Sequence, residues 1–164
     1  MSASRRDFLR WSALAGAGLV IRVPMVAGKR VPGAPVRFVP NQWLRVGTDG
    51  RVTLIVARSE MGQGVRTCLA MILAEELEAD WSSVSIEQAS PTPLYEDMNT
   101  GGSDSVESSW LPLRRAAASA RLMLVQAAAK VWKVEPGSCR AEKGGVVHIP
   151  SGRRLPYGRL APIA

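Results

Sequence analysis

The run from Trp43 to Arg58 constrains the fold more than any other stretch of the chain. Trp43, Arg45 and Gly47 alternate with Leu44 and Val46, and Val52, Leu54 and Val56 alternate with Thr53, Ile55 and Ala57. Thr48-Asp49-Gly50 separates the two halves. An Asp-Gly pair between β-rich runs signals a hairpin, because glycine accepts the positive φ that tight hairpin turns demand. The second half is apolar on both faces, and a strand covered on both faces belongs inside a sheet. A chain with this feature has to build a sheet around residues 51–58.

Beyond Arg58 the chain alternates helical and extended patterns. Ser59-Glu60-Met61-Gly62-Gln63-Gly64 breaks the strand alternation, and Leu69, Ile72, Leu73 and Leu77 then recur at helical spacing, which predicts a helix from Gly64 or Val65 that Asp80-Trp81-Ser82 closes. Val84, Ile86 and Gln88 begin a third strand, and Pro91 to Gly102 read as an irregular loop. A long helix is predicted from about Ser105 to Trp132, with Pro112 placed to kink it, an Ala-rich body and Lys130 and Lys133 at its C-terminal end. Cys139 to Glu142 and Val146 to Ile149 form a small hairpin around Lys143-Gly144-Gly145, and Tyr157 to Ala161 begin a last helix. The fold class is α+β: a mixed sheet of β-β-α-β-α order with a long Ala-rich helix, a small C-terminal hairpin and an N-terminal signal helix. The chain divides into a twin-arginine signal (1–27), a Pro- and Gly-bearing linker (28–40), the main α+β segment (41–134) and the small hairpin with its helix start (135–164). Hydrophobic residues make up 46% but aromatics only 5%, so the core must be built mostly from Val, Leu, Ala and Ile.

A net charge of +7 suggests a nucleic-acid ligand until its distribution is read. Residues 1–37 carry seven basic side chains and one acid, and the rest carries fourteen basic and thirteen acidic. The folded part is thus close to neutral, without a basic stripe for phosphate backbones, and no nucleic-acid partner is expected. Ser4-Arg5-Arg6-Asp7-Phe8-Leu9-Arg10 instead matches the twin-arginine export pattern, followed by an uncharged stretch from Trp11 to Ile21. Those 11 residues fall short of the roughly 20 that span a bilayer. The leader predicts delivery by the twin-arginine (Tat) translocase to the periplasm, or anchoring on the periplasmic side, since Met25-Val26-Ala27 before Gly28 is a weak cleavage site without a clean A-x-A. That route carries folded proteins, which suits a chain that loads a complex cofactor first. Cys68, Cys139 and His148 are too few and too scattered for a zinc or iron–sulfur site, and Cys68 is expected as a small buried thiol on the apolar helix face.

Two glycine-bearing loops carry the chemistry. Gly62-Gln63-Gly64 lies between a buried strand and a helix start, where unpaired N–H groups and a positive field favour an anion or a polar ligand. The Gln63 amide both donates and accepts, as a pterin edge requires. Thr100-Gly101-Gly102-Ser103-Asp104-Ser105 likewise enters a helix with two glycines and three hydroxyls, the make-up of an oxyanion or phosphate cradle. On these residues alone, a bound cofactor and a pair of merely tight connections both remain open. Asp104 and Glu107 add negative charge beside the second loop. Glu75 and Glu76 belong to a solvated acidic helix face, and neither they nor Glu60 is assigned a catalytic role.

The strings Glu60-Met61-Gly62-Gln63-Gly64, Ala74-Glu75-Glu76-Leu77, Thr100-Gly101-Gly102-Ser103 and Ser108-Ser109-Trp110-Leu111-Pro112-Leu113-Arg114-Arg115-Ala116, in this order, resemble the large subunit of the isoquinoline 1-oxidoreductase group, within the xanthine dehydrogenase and aldehyde oxidase superfamily. The likeness runs on through Gly152-Arg153-Arg154-Leu155 and Tyr157-Gly158. It implies that Gln63, with Gly62 and Gly64, contacts a molybdopterin, and that Thr100, Gly101, Gly102, Ser103 and Ser105 line the same cofactor, in its cytosine dinucleotide form by family habit. It implies hydroxylation of a carbon beside a ring nitrogen, or of an aldehyde carbon, with oxygen from water. It also implies a small partner subunit carrying two [2Fe–2S] clusters, and a further large-subunit segment bearing a Gly-Gly-Phe-Gly motif and the catalytic Glu. Without that segment the polypeptide is expected to be inactive alone. A standalone cofactor- or subunit-binding module and a non-functional remnant are the competing readings.

Overall fold

Strand β1 (Arg37–Asn41) leads into β2 (Leu44–Gly47) and β3 (Val52–Val56), and these pair in sequence order as antiparallel neighbours. The computed structural model describes residues 37–93, 95 and 98–164. The signal helix assigned to 1–27 and the start of the linker lie outside them. The β2–β3 turn is built as its sequence demands: Gly50 sits at φ 83°, its N–H donates to Gly47 O at 3.0 Å, and the Asp49 carboxylate accepts from Arg51 N at 3.0 Å. Strand β1 corrects the linker reading, because it occupies residues 37–41. Asn41 makes the connection: its Oδ1 accepts from Trp43 N at 2.9 Å and its Nδ2 donates to Ala116 O at 3.0 Å. Pro40 is tolerated there because β1 is an edge strand with an irregular register between Phe38 and Asn41.

After β3 the chain forms α1 (Val65–Leu77), a short 3₁₀ turn (Trp81–Ser83) and β4 (Val84–Gln88). Strand β4 pairs with β3 in parallel, Val52 opposite Val84 through Val56 opposite Gln88. Parallel neighbours need a crossover, and α1 supplies it. Strand β3 is therefore central, and Val52, Leu54, Ile55 and Val56 are buried on both of its faces. Asp80 accepts from Ser82 N at 3.0 Å and Ser82 Oγ at 2.7 Å, opening the 3₁₀ turn and holding its own carboxyl below the ordinary range.

The long helix α2 (Ser105–Trp132) has the predicted bounds and includes Pro112. Its Leu113, Ala117, Ala120, Leu124 and Ala127 form a buried stripe at spacings of three and four, and the small alanines let it approach α1 closely. Glu76 corrects the expectation of a solvated acidic face. It is half-buried and pairs with Arg114 at 2.8 Å and Arg121 at 2.9 Å, tying α1 to α2. Both helices end on a left-handed residue that is not glycine, Glu78 at φ 57° and Lys133 at φ 55°.

The C-terminal hairpin of β5 (Cys139–Glu142) and β6 (Gly145–His148) gains a third strand, β7 (Arg154–Pro156), before the short α3 (Tyr157–Leu160). This sheet shares the main core: Cys139, Val146, Tyr157 and Leu160 are buried with Leu44, Leu54, Leu73 and Leu124. Tyr157 is 1% exposed, and its hydroxyl donates to Leu77 O at 2.6 Å. Burial raises that phenol well above the ordinary tyrosine range, so it stays protonated and donating. Among the described residues no helix is long and apolar enough to cross a membrane.

Gly158 is the tightest point of this docking. A Cβ there would lie 2.7 Å from both Gly50 N and Thr48 O, which are backbone atoms of the β2–β3 turn. Gly158→Ala must push the turn and α3 apart, so it is expected to lower stability by roughly 1–3 kcal/mol, the usual range for overpacking. Urea denaturation measures this, and an unchanged midpoint would contradict the packing described.

Candidate functional site

Parallel pairing of β3 and β4 leaves their C-terminal ends side by side, and each end feeds a glycine-bearing loop that enters a helix. The loops meet. Gln63, Gly64, Thr100, Gly101, Gly102, Ser103 and Ser105 all line one cleft of about 440 Å³, with Met61, Val65, Cys68 and Val106 completing its wall. Of the eight residues predicted, only Gly62 does not line it. Cys68 is half-buried and free, a departure from the buried thiol expected. Asp104 and Glu107 are exposed and do not line the cleft. A second cleft of similar volume, by Trp43, Arg58, Tyr95 and Pro112, contains none of the predicted residues, and a wider groove past Met71 and Trp110 contains only Gly64.

The first loop corrects one expectation. Three of the amides at this turn are taken up within the chain. Glu60 Oε1 accepts from Gly62 N at 2.8 Å and Gly64 N at 3.0 Å, and Oε2 accepts from Arg66 N at 3.1 Å. The carboxylate thus fills the positive end of α1, where a negative charge is favoured. The amides of Gly64 and Arg66, with a lesser contribution from Gly62, hold the Glu60 carboxyl below the ordinary glutamate range against the opposing effect of desolvation. Gly62 at φ 97° and Gly64 at φ 83° supply the left-handed backbone that lets three amides converge. Gln63 is also engaged within the loop: its Oε1 accepts from Met61 N at 2.6 Å and its Nε2 donates to Ser59 O at 3.1 Å. A primary amide has two N–H groups and two lone pairs, so one of each remains for a ligand in the cleft.

The second loop is the open one. Gly102 at φ 62° and Ser103 at φ 59° are successive left-handed residues, and a Cβ added at Gly102 would meet nothing within 4 Å. Asp104 N makes a long contact with Gly101 O at 3.4 Å, but the N–H groups of Gly101, Gly102 and Ser103 have no partner among the described residues. Asp104, at the start of α2, makes no side-chain cap.

Two residues to which the sequence pattern gave no role hold the loops to each other. Arg58, 6% exposed, donates from Nη1 to Asn99 O at 2.5 Å and from Nη2 to Ser108 Oγ at 2.7 Å. Ser59 donates from Oγ to Met98 O at 3.0 Å, and its carbonyl accepts from Thr100 Oγ1 at 2.8 Å. Thr100 therefore spends its proton on joining the loops and faces the cleft as an acceptor. A buried-strand end that closes on Arg-Ser was the available signal, since a guanidinium there must find several acceptors. Among the described residues no three His, Cys, Asp or Glu side chains are grouped to hold a metal ion.

Known proteins resemble the chain along nearly its whole length. The molybdopterin cofactor-binding domain family matches residues 3–164. An isoquinoline 1-oxidoreductase subunit beta from Brevundimonas diminuta is 36% identical over 167 residues, covering 96% of this chain and 21% of that protein. A membrane-bound aldehyde dehydrogenase of Gluconacetobacter polyoxogenes, whose name specifies pyrroloquinoline-quinone, is 35% identical over 165 residues, covering 97% of this chain and 21% of that protein. Among solved structures, quinoline 2-oxidoreductase from Pseudomonas putida 86 superposes with a TM-score of 0.60 at 25% identity, over 73% of this chain and 15% of that one. The chain thus spans about a fifth of the length of the relatives it matches.

The geometry sets two expectations. Arg58→Ala strips hydrogen bonds from the second loop and is expected to cost roughly 2–4 kcal/mol, with Arg58→Lys recovering less than half because an ammonium cannot reproduce the fork. Chemical denaturation of the two variants checks this, and equal stability of Arg58→Lys and the parent chain would contradict it. The second concerns acid. A carboxyl depressed in the folded state stabilises fully above its unfolded pKa and loses that effect as pH falls through the folded value. Hydrogen exchange at Gly64 N–H is therefore expected to stay slow through the ordinary glutamate range, relative to the intrinsic rate, and to lose protection only below it. Loss of protection above that range would contradict the assignment.

Proposed function

The chain belongs to the molybdopterin cofactor-binding domain family, and from that premise we propose that the cleft between the two loops takes a molybdopterin as part of the catalytic subunit of a molybdenum hydroxylase. The observation that carries this reading is the convergence of seven predicted residues on one cleft whose second loop has unused amides. The donor set fits the group. Gly101, Gly102 and Ser103 offer N–H groups to its anionic oxygens, Ser103 and Ser105 offer hydroxyls, and Gln63 retains one donor and one acceptor for a heterocycle edge. Glycine at 102 leaves the approach open.

When bound, the cofactor supplies the molybdenum centre that oxidises the substrate carbon with oxygen drawn from water. The chain's own part is to hold and orient it. Glu60 is engaged with three amides and Glu76 with two arginines, so neither is placed to move a substrate proton. By this reading the chain binds cofactor but does not turn over by itself. N-heteroaromatics and aldehydes are the substrate classes named by its relatives. The cytosine dinucleotide form, a [2Fe–2S] small subunit that receives the electrons, a further large-subunit segment, and twin-arginine export to the periplasm complete the proposal.

The test is cofactor content. The full chain, produced in cells that make molybdopterin, is expected to retain molybdenum and pterin at near equal amounts. Gly102→Val, which forces a β-branched residue into a left-handed conformation and fills the approach, is expected to lower both at least about tenfold, a loss of about 1.4 kcal/mol. Background levels in the parent chain, or a quinone in place of the pterin, would contradict the proposal.

A further inference from the structure

Glu60 is exposed and does not line the cleft, yet its carboxylate is the most connected group in the first loop. It spans Gly62, Gly64 and Arg66, and so brackets Gln63 on both sides. The backbone that carries Gln63 therefore cannot turn without breaking a charge-assisted hydrogen bond to Glu60. Gln63 in turn accepts from Met61 N and donates to Ser59 O, the same carbonyl that accepts from Thr100 of the second loop. Hydrogen bonds and the intervening backbone thus link Glu60, through the first turn and Gln63, to the opposite wall of the cleft.

We propose that Glu60 is a positioning residue that acts through Gln63: it fixes the turn so that the Gln63 amide faces the cleft, and it occupies the start of α1 as a resident anion. This rests on the cofactor reading above and adds a division of labour to it. A negative charge already bound at the first turn repels a second one there. Anionic ligand oxygens are therefore directed to the unused amides of Gly101, Gly102 and Ser103, while the first turn presents a neutral amide. The glutamate length matters. Aspartate is one methylene shorter and cannot span three amides, and glutamine turns an NH₂ group toward donors.

A double-mutant cycle on the full chain tests this. Glu60→Ala is expected to lower retained pterin about tenfold in the parent background but less than twofold in a Gln63→Ala background, the pattern of two residues acting as one unit. Glu60→Gln and Glu60→Asp are expected to behave like Glu60→Ala, and a melting temperature close to the parent's separates this from general unfolding. Hydrogen exchange without cofactor is the second arm: the amides of Gly62, Gly64 and Arg66 are expected to exchange about tenfold faster or more in Glu60→Ala than in the parent. Equal exchange in the two chains overturns the latch. A pterin loss of the same size in both backgrounds overturns its action through Gln63. A parent chain with no pterin, alongside slow parent exchange, overturns the cofactor reading on which the proposal stands and leaves the latch itself measured.

Discussion

The cleft depends on the parallel pairing of β3 with β4. Because Val56 lies opposite Gln88, the two strands end together and send their loops from the same edge of the sheet. Antiparallel pairing would place those ends at opposite edges, and the loops would not meet. Ligands in sheets of this kind sit beyond the carboxyl ends of the strands, where helix starts face outward. The crossover helix α1 makes the parallel pairing possible, and its packing against α2 fixes where the second loop enters its own helix.

What the two loops offer a ligand is unequal, and the difference comes from one side chain. Both turns have glycines in left-handed conformations and both precede helices. In the first, Glu60 takes three of the amides from within the chain. In the second, no acceptor among the described residues takes the amides of Gly101, Gly102 and Ser103, and Asp104 makes no side-chain cap at the start of α2. The buried Arg58 and the hydroxyl of Ser59 then set the distance between the walls by bonding to carbonyls of the opposite loop. A polar group buried at a strand end is costly unless fully satisfied, so this junction holds one geometry or loses several hydrogen bonds at once.

Much of the fold was legible because it rests on periodicity. The hairpin at Asp49-Gly50, the both-faces-apolar β3 and the full length of α2 come from alternation, turn chemistry and an Ala-rich helical stripe. Strand β1 was not legible: Pro40 beside a Pro- and Gly-bearing stretch reads as linker, and only the Asn41 turn and pairing with β2 make it a strand. Strand β7 is three residues ending in Pro156, too short to carry a pattern. Glu76 looked like part of an acidic surface because its partners, Arg114 and Arg121, lie 38 and 45 residues away. The site residues were proposed from glycine placement together with the family resemblance, and their meeting at one cleft needed the parallel register, which composition does not encode. Glu60 was missed as a ligand of amides because the expected anion was sought outside the chain.

If these two loops form one cofactor cleft, diffraction at the molybdenum absorption edge, from crystals of the full chain grown with the cofactor, tests it most directly. Metal-bearing density is predicted between Gln63 and the Gly102–Ser103 turn, with Glu60 still bonded to its three amides. Density against Trp43 and Tyr95 instead, or a cleft closed by a displaced Glu60, would contradict it.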